Sequence, residues 1–247
     1  MLSQAVVKKV LDAALERGAQ FAEIFVEDTY QSELRVVDSK PAKALIGRLK
    51  GAGVRVFYGH EQIYVTTNDL SEAGLVKAAR TAAAARADAL TKTSGHGVTR
   101  VEPKEFQPTA FDELHHYGTR PWEYDRDKKF THLMTMDKAA RQHSSMVTQV
   151  EPALVEKTQR ILVANSEGVW AEDERNYVRA IVQVSLEDQG QRETASSRTG
   201  TLGTSEWYDT LDFSKMATDA VNQAKLLIHA DYAPAGEMPV VIDGGFG

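Results

Sequence analysis

The hydrophobic period of the chain changes at Gly18, and that change constrains the fold more than any other feature. Before it, Val6/Val7, Val10/Leu11 and Ala14/Leu15 recur at helical spacing, so Ser3 to Arg17 reads as an amphipathic helix with Gly18 as its stop. After it, Ala22, Ile24 and Val26 alternate with Glu23 and Glu27, the pattern of a half-buried strand over Phe21 to Tyr30. The second half repeats the order of helix, strands and helix. Long antiparallel strands with helices segregated in sequence define an α+β fold, with mixed or antiparallel sheets and flanking helices.

The remaining elements follow from the same signals. Glu33 to Val37 reads as a partner strand, and Pro41 confines any strand through it to a sheet edge. Gly51-Ala-Gly53 introduces a strand over Val54 to Tyr58, Gly59-His60-Glu61 turns it, and Gln62 to Thr67 returns as a β-hairpin. Asn68, Asp69 and Ser71 offer caps for an Ala-rich helix to about Leu90. Periodicity is lost from Thr91 to Asp125, an aromatic-studded loop with Pro103, Pro108 and Pro121. The expected organisation is an α/β subdomain at 1–90, a linker at 91–125 and a β-rich region with helices at 126–247. Within that last region, Asp127 to Gln142 reads as a helix. Met146 to Lys157, Arg160 to Ala164, Gly168 to Glu172, Tyr177 to Glu187 and Arg192 to Thr199 read as strands. Asp212 or Ser214 caps a further helix, Pro234-Ala-Gly236 breaks it, and Met238 to Asp243 reads as a last strand.

Composition narrows the function classes. The 247 residues carry 29 basic and 35 acidic side chains, a formal net charge of −6, which speaks against direct nucleic-acid binding. No cysteine is present, so the chain has no disulfides, thiolate metal sites or cysteine nucleophiles. No apolar run reaches the roughly 20 residues of a membrane helix, and Gln4, Asp12 and Glu16 interrupt any signal-peptide core. A cytoplasmic location is expected.

Motifs for chemistry inside the chain are poor. His60-Glu61 opens like H-E-x-x-H, but Tyr64 and Val65 stand where a second histidine would fall, and a hairpin lacks the helical face that aims two ligands at one metal. His115-His116 beside Asp112 and Glu113 point apart in any regular structure. Asp125-Arg-Asp127 and Glu172-Asp-Glu174 lack the spaced oxygens of a calcium loop and read as solvated turns. Gly51-Ala-Gly53 lacks the third glycine and the following helix of a dinucleotide fingerprint. Ser144-Ser145 and Ser196-Ser197 sit in no glycine elbow. No catalytic, metal-ligating or substrate-binding residue is assigned within the chain.

Four segments taken in order carry a family resemblance. They are Gly18-Ala-Gln-Phe-Ala-Glu-Ile-Phe-Val-Glu-Asp-Thr29, Gly51-Ala-Gly-Val-Arg-Val-Phe57 with Thr67-Asn-Asp-Leu70, Ala164-Asn-Ser-Glu-Gly168, and Pro234-Ala-Gly-Glu-Met-Pro-Val-Val-Ile-Asp243. Together they resemble the TldD/PmbA family, also called modulators of DNA gyrase, on its TldD branch. The return strand Gln62-Ile-Tyr-Val-Thr66 departs from the family's Trp-Gly-Phe-Ala-like pattern. The resemblance implies a cytoplasmic zinc-dependent peptidase acting on unfolded or extended peptides. It implies a homodimer, or a heterodimer with a PmbA-like subunit, enclosing a chamber. It also implies an H-E-x-x-x-H helix soon after a segment like Val240-Val-Ile-Asp-Gly-Gly-Phe-Gly247, with a further ligand in a C-terminal domain. No position here matches that motif, so none of the family's catalytic residues is carried over.

The expected function is therefore the N-terminal scaffold, dimerisation and peptide-enclosing region of such a peptidase, ending just before the metal motif. Zinc belongs to the intact protein and none to this chain, which is expected to be inactive alone. The hairpin Val54–Thr67 and the strand Tyr177–Glu187 are candidate surfaces for adding an extended peptide to a sheet edge. The alternative is a non-catalytic peptide- or protein-binding module of the same fold.

Overall fold

The structure, a computed structural model, describes residues 1–90, 101–109 and 119–242. Ser3 accepts a hydrogen bond from the Val6 N–H and opens helix α1 (Gln4–Leu15), whose Val7, Val10, Leu11, Ala14 and Leu15 are buried. Gly18 adopts φ 82° and releases the chain into strand β1 (Phe21–Val37). The segment Glu33 to Val37 is the continuation of β1 rather than a partner strand. Asp38 and Ser39, both at positive φ, turn the chain into β2 (Lys40–Tyr58), which returns antiparallel to β1 along its whole length. Left-handed values at both central turn residues match the twist of the strands they join. After the Gly59-His60 turn, β3 (Glu61–Thr67) pairs with β2 only from Ala52 to Tyr58. Ser71 then receives the Gly74 N–H at the start of α2 (Glu72–Leu90).

The second half supplies a short strand β4 (Gln107–Thr109), then helix α3 (Arg126–His143) and two long strands, β5 (Val147–Asn165) and β6 (Val169–Asp188). Strand β7 (Gln191–Leu202), a short 3-10 helix (Ser205–Thr210) and α4 (Phe213–Ile228) complete it. The four strand segments expected between Met146 and Glu187 are two strands. Polar residues at Thr158-Gln159 and Asp173 to Asn176 interrupt the apolar alternation, yet backbone pairing runs straight through them. Of the strand expected over Met238 to Asp243, Met238–Ile242 has no sheet partner among the described residues, with Val240, Val241 and Ile242 exposed, and Asp243 lies outside them. Apolar pattern alone does not hold a strand; a neighbour must take up its backbone hydrogen bonds.

The seven strands form one sheet in the order β3-β2-β1-β5-β6, with β4 and β7 both paired to the far edge of β6. All pairings are antiparallel except β4 with β6. β1 pairs with β5 from Glu23↔Asn165 to Arg35↔Ala153, so both halves of the chain share the sheet. Two separate hydrophobic cores lie beneath it. One joins α1 and α2 to Ile24, Val26, Val54, Val56, Leu162 and Ala164; the other joins α3 and α4 to Leu154, Val178, Val182 and Val184. Residues two apart on a strand share a face, and Ile24, Val26, Leu34, Leu154 and Leu162 keep one parity through the β1–β5 register, so both helix pairs cover the same face.

Candidate functional site

Between the two cores the same face of the sheet turns polar. Along β1 the inward positions after Val26 are Asp28, Tyr30 and Ser32; opposite them on β5 are Arg160, Thr158 and Glu156. Polar side chains at inward positions need partners because burial removes their water. Glu156, 3% exposed, accepts from the Lys129 ammonium at 2.8 Å and the Ser32 hydroxyl at 2.5 Å. The same ammonium donates to the Pro121 carbonyl at 2.5 Å, which ties α3 and the preceding loop to the sheet. Thr158 donates to the Asn176 side-chain oxygen at 2.5 Å, while the Asn176 Nδ2, 1% exposed, finds no partner among the described residues. Arg48 grips Asp28 with two bonds of 2.7 Å and holds that carboxyl below the usual range, against the burial that pushes it up.

A cavity of about 230 Å³ opens into this band. Its floor is Tyr30, Ser32, Leu34, Leu154 and Glu156; Pro121, Trp122, Tyr124 and Lys129 wall it, and Ala44 and Ile46 of β2 form the rim. Trp122 lies 4.9 Å from the Tyr30 ring between centroids. Arg48 lies over the Tyr30 ring at 4.6 Å from its centroid, and Arg120 over Trp122 at 5.5 Å. The wall is anchored where the Thr119 N–H donates to Glu206 at 3.0 Å. Burial pushes the Glu206 carboxyl up, but bonds from Thr119 and Thr204 outweigh it and hold the group at about 2. Behind the wall, the Tyr124 hydroxyl donates to Asp209 at 2.6 Å and lies 3.1 Å from His132 Nε2. Burial raises the Tyr124 phenol and lowers the His132 imidazole. The arrangement can hold an apolar or aromatic group against a charged floor. The Glu156 carboxylate accepts from Lys129 and Ser32 on Oε2 and from Ser205 on Oε1 at 3.5 Å.

The residues weighed for chemistry from sequence are dispersed. His60 is exposed on the β2–β3 turn. Asp125 caps α3, accepting from Asp127 N–H at 2.7 Å. Glu172, Asp173 and Glu174 lie within β6 rather than in a turn: Asp173 binds Arg175 at 2.6 Å, and Glu174 bridges Arg120 and Arg160 at 3.3 Å each. Gly51 and Gly53 are interior to β2, where the Tyr64 ring lies over Gly53 in the space a Cβ would take. His115, His116, Asp112, Glu113 and Asp243 to Gly247 lie outside the described residues. Both edges of β6 over Tyr177 to Glu187 are taken by β5 and β7, so that strand offers no open edge. No motif in the sequence groups Lys129, Glu156, Tyr30 and Trp122. The available signal was a run of polar residues at inward strand positions.

A zinc ion does not fit the described residues. No three His, Cys, Asp or Glu side chains converge among them. His132 faces one carboxylate, Asp209 at 3.8 Å, and a tyrosine hydroxyl; His229 faces only Asp188 at 3.5 Å. Three protein ligands are the usual minimum for a catalytic zinc. No described helix is long and apolar enough to cross a membrane.

Comparison with known proteins gives a consistent picture. A family model described as PmbA/TldA metallopeptidase domain 1 matches residues 22–86, and the PmbA/TldA metallopeptidase central domain matches residues 119–228. The chain is 24% identical over 256 aligned residues to a metalloprotease TldD homolog of Haemophilus influenzae, covering 99% of this chain and 50% of the relative. It is 26% identical over 204 residues to a metalloprotease TldD homolog of Buchnera aphidicola, covering 79% of this chain and 40% of the relative. The chain therefore spans half or less of the length of these curated relatives. The fold superposes on a protein of Thermotoga maritima described as a modulator of a DNA gyrase (TM-score 0.70, 13% identity, 94% of this chain and 50% of that one). It also superposes on TldE of Thermococcus kodakarensis (TM-score 0.63, 12% identity, 89% of this chain and 47% of that one). At these identities the structural likeness concerns the fold alone.

Proposed function

Because the chain belongs to the PmbA/TldD metallopeptidase family, we propose that it is the N-terminal scaffold of a zinc-dependent peptidase acting on unfolded or extended peptides. The observation that carries this reading is the match, in order, of two successive domains of one metallopeptidase family along a single shared sheet. The described residues supply no zinc site, so on this reading the metal ligands and the general base lie elsewhere in the intact protein. The contribution of this chain is then binding and assembly: a sheet with an open cavity that holds peptide, and faces that join a second subunit, its own copy or a PmbA-like partner. The intact protein works in the cytoplasm.

The test is direct. Full-length protein is expected to carry stoichiometric zinc and to cleave an unfolded protein such as casein. Chelation should abolish cleavage and added zinc should restore it. Residues 1–247 alone are expected to bind peptide without cutting it. Full-length protein that binds peptide but neither holds zinc nor cleaves would replace the peptidase reading with a binding module.

A further inference from the structure

Among the described residues, the outer edge of β2 is unpaired for more than half its length. β1 pairs with β2 throughout, but β3 covers only Ala52 to Tyr58, and no described residue pairs with the other edge from Lys40 to Gly51. In an antiparallel strand, alternate residues of such a stretch direct both N–H and C=O outward, a ready template for another strand. The stretch also exposes apolar side chains: Leu45, Ile46 and Leu49 are 51%, 67% and 58% exposed. The cavity beside it is the second, independent observation. Ala44 and Ile46 belong to both the bare edge and the cavity rim, on the helix-bearing face of the sheet. A strand laid against β2 here would direct alternate side chains to that face, and one of them would enter the space between Ile46, Trp122 and Tyr30.

The charge of the edge selects the occupant. Lys40 to Gly51 contains Lys40, Lys43, Arg48 and Lys50 and no carboxylate. Glu33 neutralises Lys43 and Asp28 neutralises Arg48, which leaves Lys40 and Lys50 as surplus positive charge. Pairing with a second copy would set like charges against one another across the new ladder, which is unfavourable, and edge lysines guard strands against such self-association. An acidic strand meets no such penalty.

We propose that Ala42–Lys50 is a docking edge for an extended acidic peptide segment, which adds as a strand to β2 and seats one apolar side chain in the cavity beside Ile46. The inference rests on the peptidase reading only in regarding that segment as part of a substrate; the docking itself is independent of cleavage.

Fluorescence anisotropy on the full-length protein with labelled peptides tests it without measuring hydrolysis. The first peptide alternates glutamate and valine about a central leucine; a second replaces every glutamate by lysine; a third is the acidic peptide N-methylated on alternate amides. The acidic peptide is expected to bind at low salt and weaken as salt rises. The lysine and N-methylated peptides should bind at least about tenfold more weakly, as should the acidic peptide to Ile46→Lys and to Lys40→Glu/Lys50→Glu. Circular dichroism of each variant should match the parent. Binding should also shift Trp122 emission, a signal lost in Trp122→Leu. Equal affinity for the acidic and lysine peptides, or undiminished binding by Ile46→Lys, would overturn the proposal. So would a concentration-dependent dimer abolished by Ile46→Lys, which would assign the edge to a second copy. None of these results bears on zinc content or casein cleavage, so the peptidase reading stands or falls separately.

Discussion

Glu156 and Lys129 are the residues on which the site depends. Both are buried, and each is satisfied by the other and by a neighbour, Ser32 for the carboxylate and the Pro121 carbonyl for the ammonium. Removing one charge strands the other without water, a cost of about 3–5 kcal/mol. Lys129→Met is therefore expected to lower unfolding free energy by that amount in urea titrations, and Lys129→Met with Glu156→Leu by much less. Asp28 gives a pH signature. Its folded-state pKa is lowered by the hydrogen bonds from Arg48, so the pair contributes stability that is present above the unfolded carboxylate pKa of about 3.9 and is lost as pH falls through the lower folded value. Asp28→Asn should flatten the dependence of stability on pH below about pH 4 relative to the parent, read from denaturant midpoints.

Turns decide how the long strands meet. Asn165 accepts from the Glu167 and Val169 N–H groups at 3.0 and 3.1 Å and closes the β5–β6 turn, where Gly168 adopts φ 96°. A Cβ on Gly168 would stand 2.5 Å from the Glu105 carbonyl oxygen, in the segment that docks β4 through the Gln107 N–H on the Gly168 carbonyl. Gly168→Ala combines a disfavoured backbone angle with a backbone clash and is expected to cost about 1–3 kcal/mol, with faster amide exchange at Gln107 as the local readout. The β1–β2 turn is held differently: Ser39 bonds Asp137 of α3 at 2.6 Å and Asp38 bonds Arg141 at 2.6 Å. The reach of these strands was hidden from the sequence by their own polar centres. Ala22, Ile24 and Val26 announce β1, but Asp28, Tyr30 and Ser32 conceal that it continues to Val37.

At the scale of the whole molecule, one sheet carries two cores on one face with a polar band between them. Leu11 belongs to the core under α1 and α2, and Leu133 to the core under α3 and α4, with both side chains fully buried. Leu11→Ala and Leu133→Ala are each expected to cost about 2–5 kcal/mol. Because they share no packing partner, the double variant should equal the sum of the two within about 0.5 kcal/mol in urea unfolding. A larger coupling would mean that the polar band transmits packing strain between the cores.

The α+β class, all four helices, Asp212 as one of two candidate caps for the last of them, the β2–β3 hairpin and the ordered segments that mark the family were legible in the sequence. Those are local properties: hydrophobic period, capping chemistry and turn residues act over a few neighbours, and the chain states them outright. Tertiary structure decided how far each strand runs, that the two halves join through β1 and β5, and which inward polar residues meet. Among the described residues, it also decided that the apolar run Met238–Ile242 takes no place in this sheet while Lys40–Gly51, unremarkable in sequence, becomes an unpaired edge. A strand is completed by hydrogen bonds to a neighbour distant in the chain, and no local pattern records whether that neighbour is there.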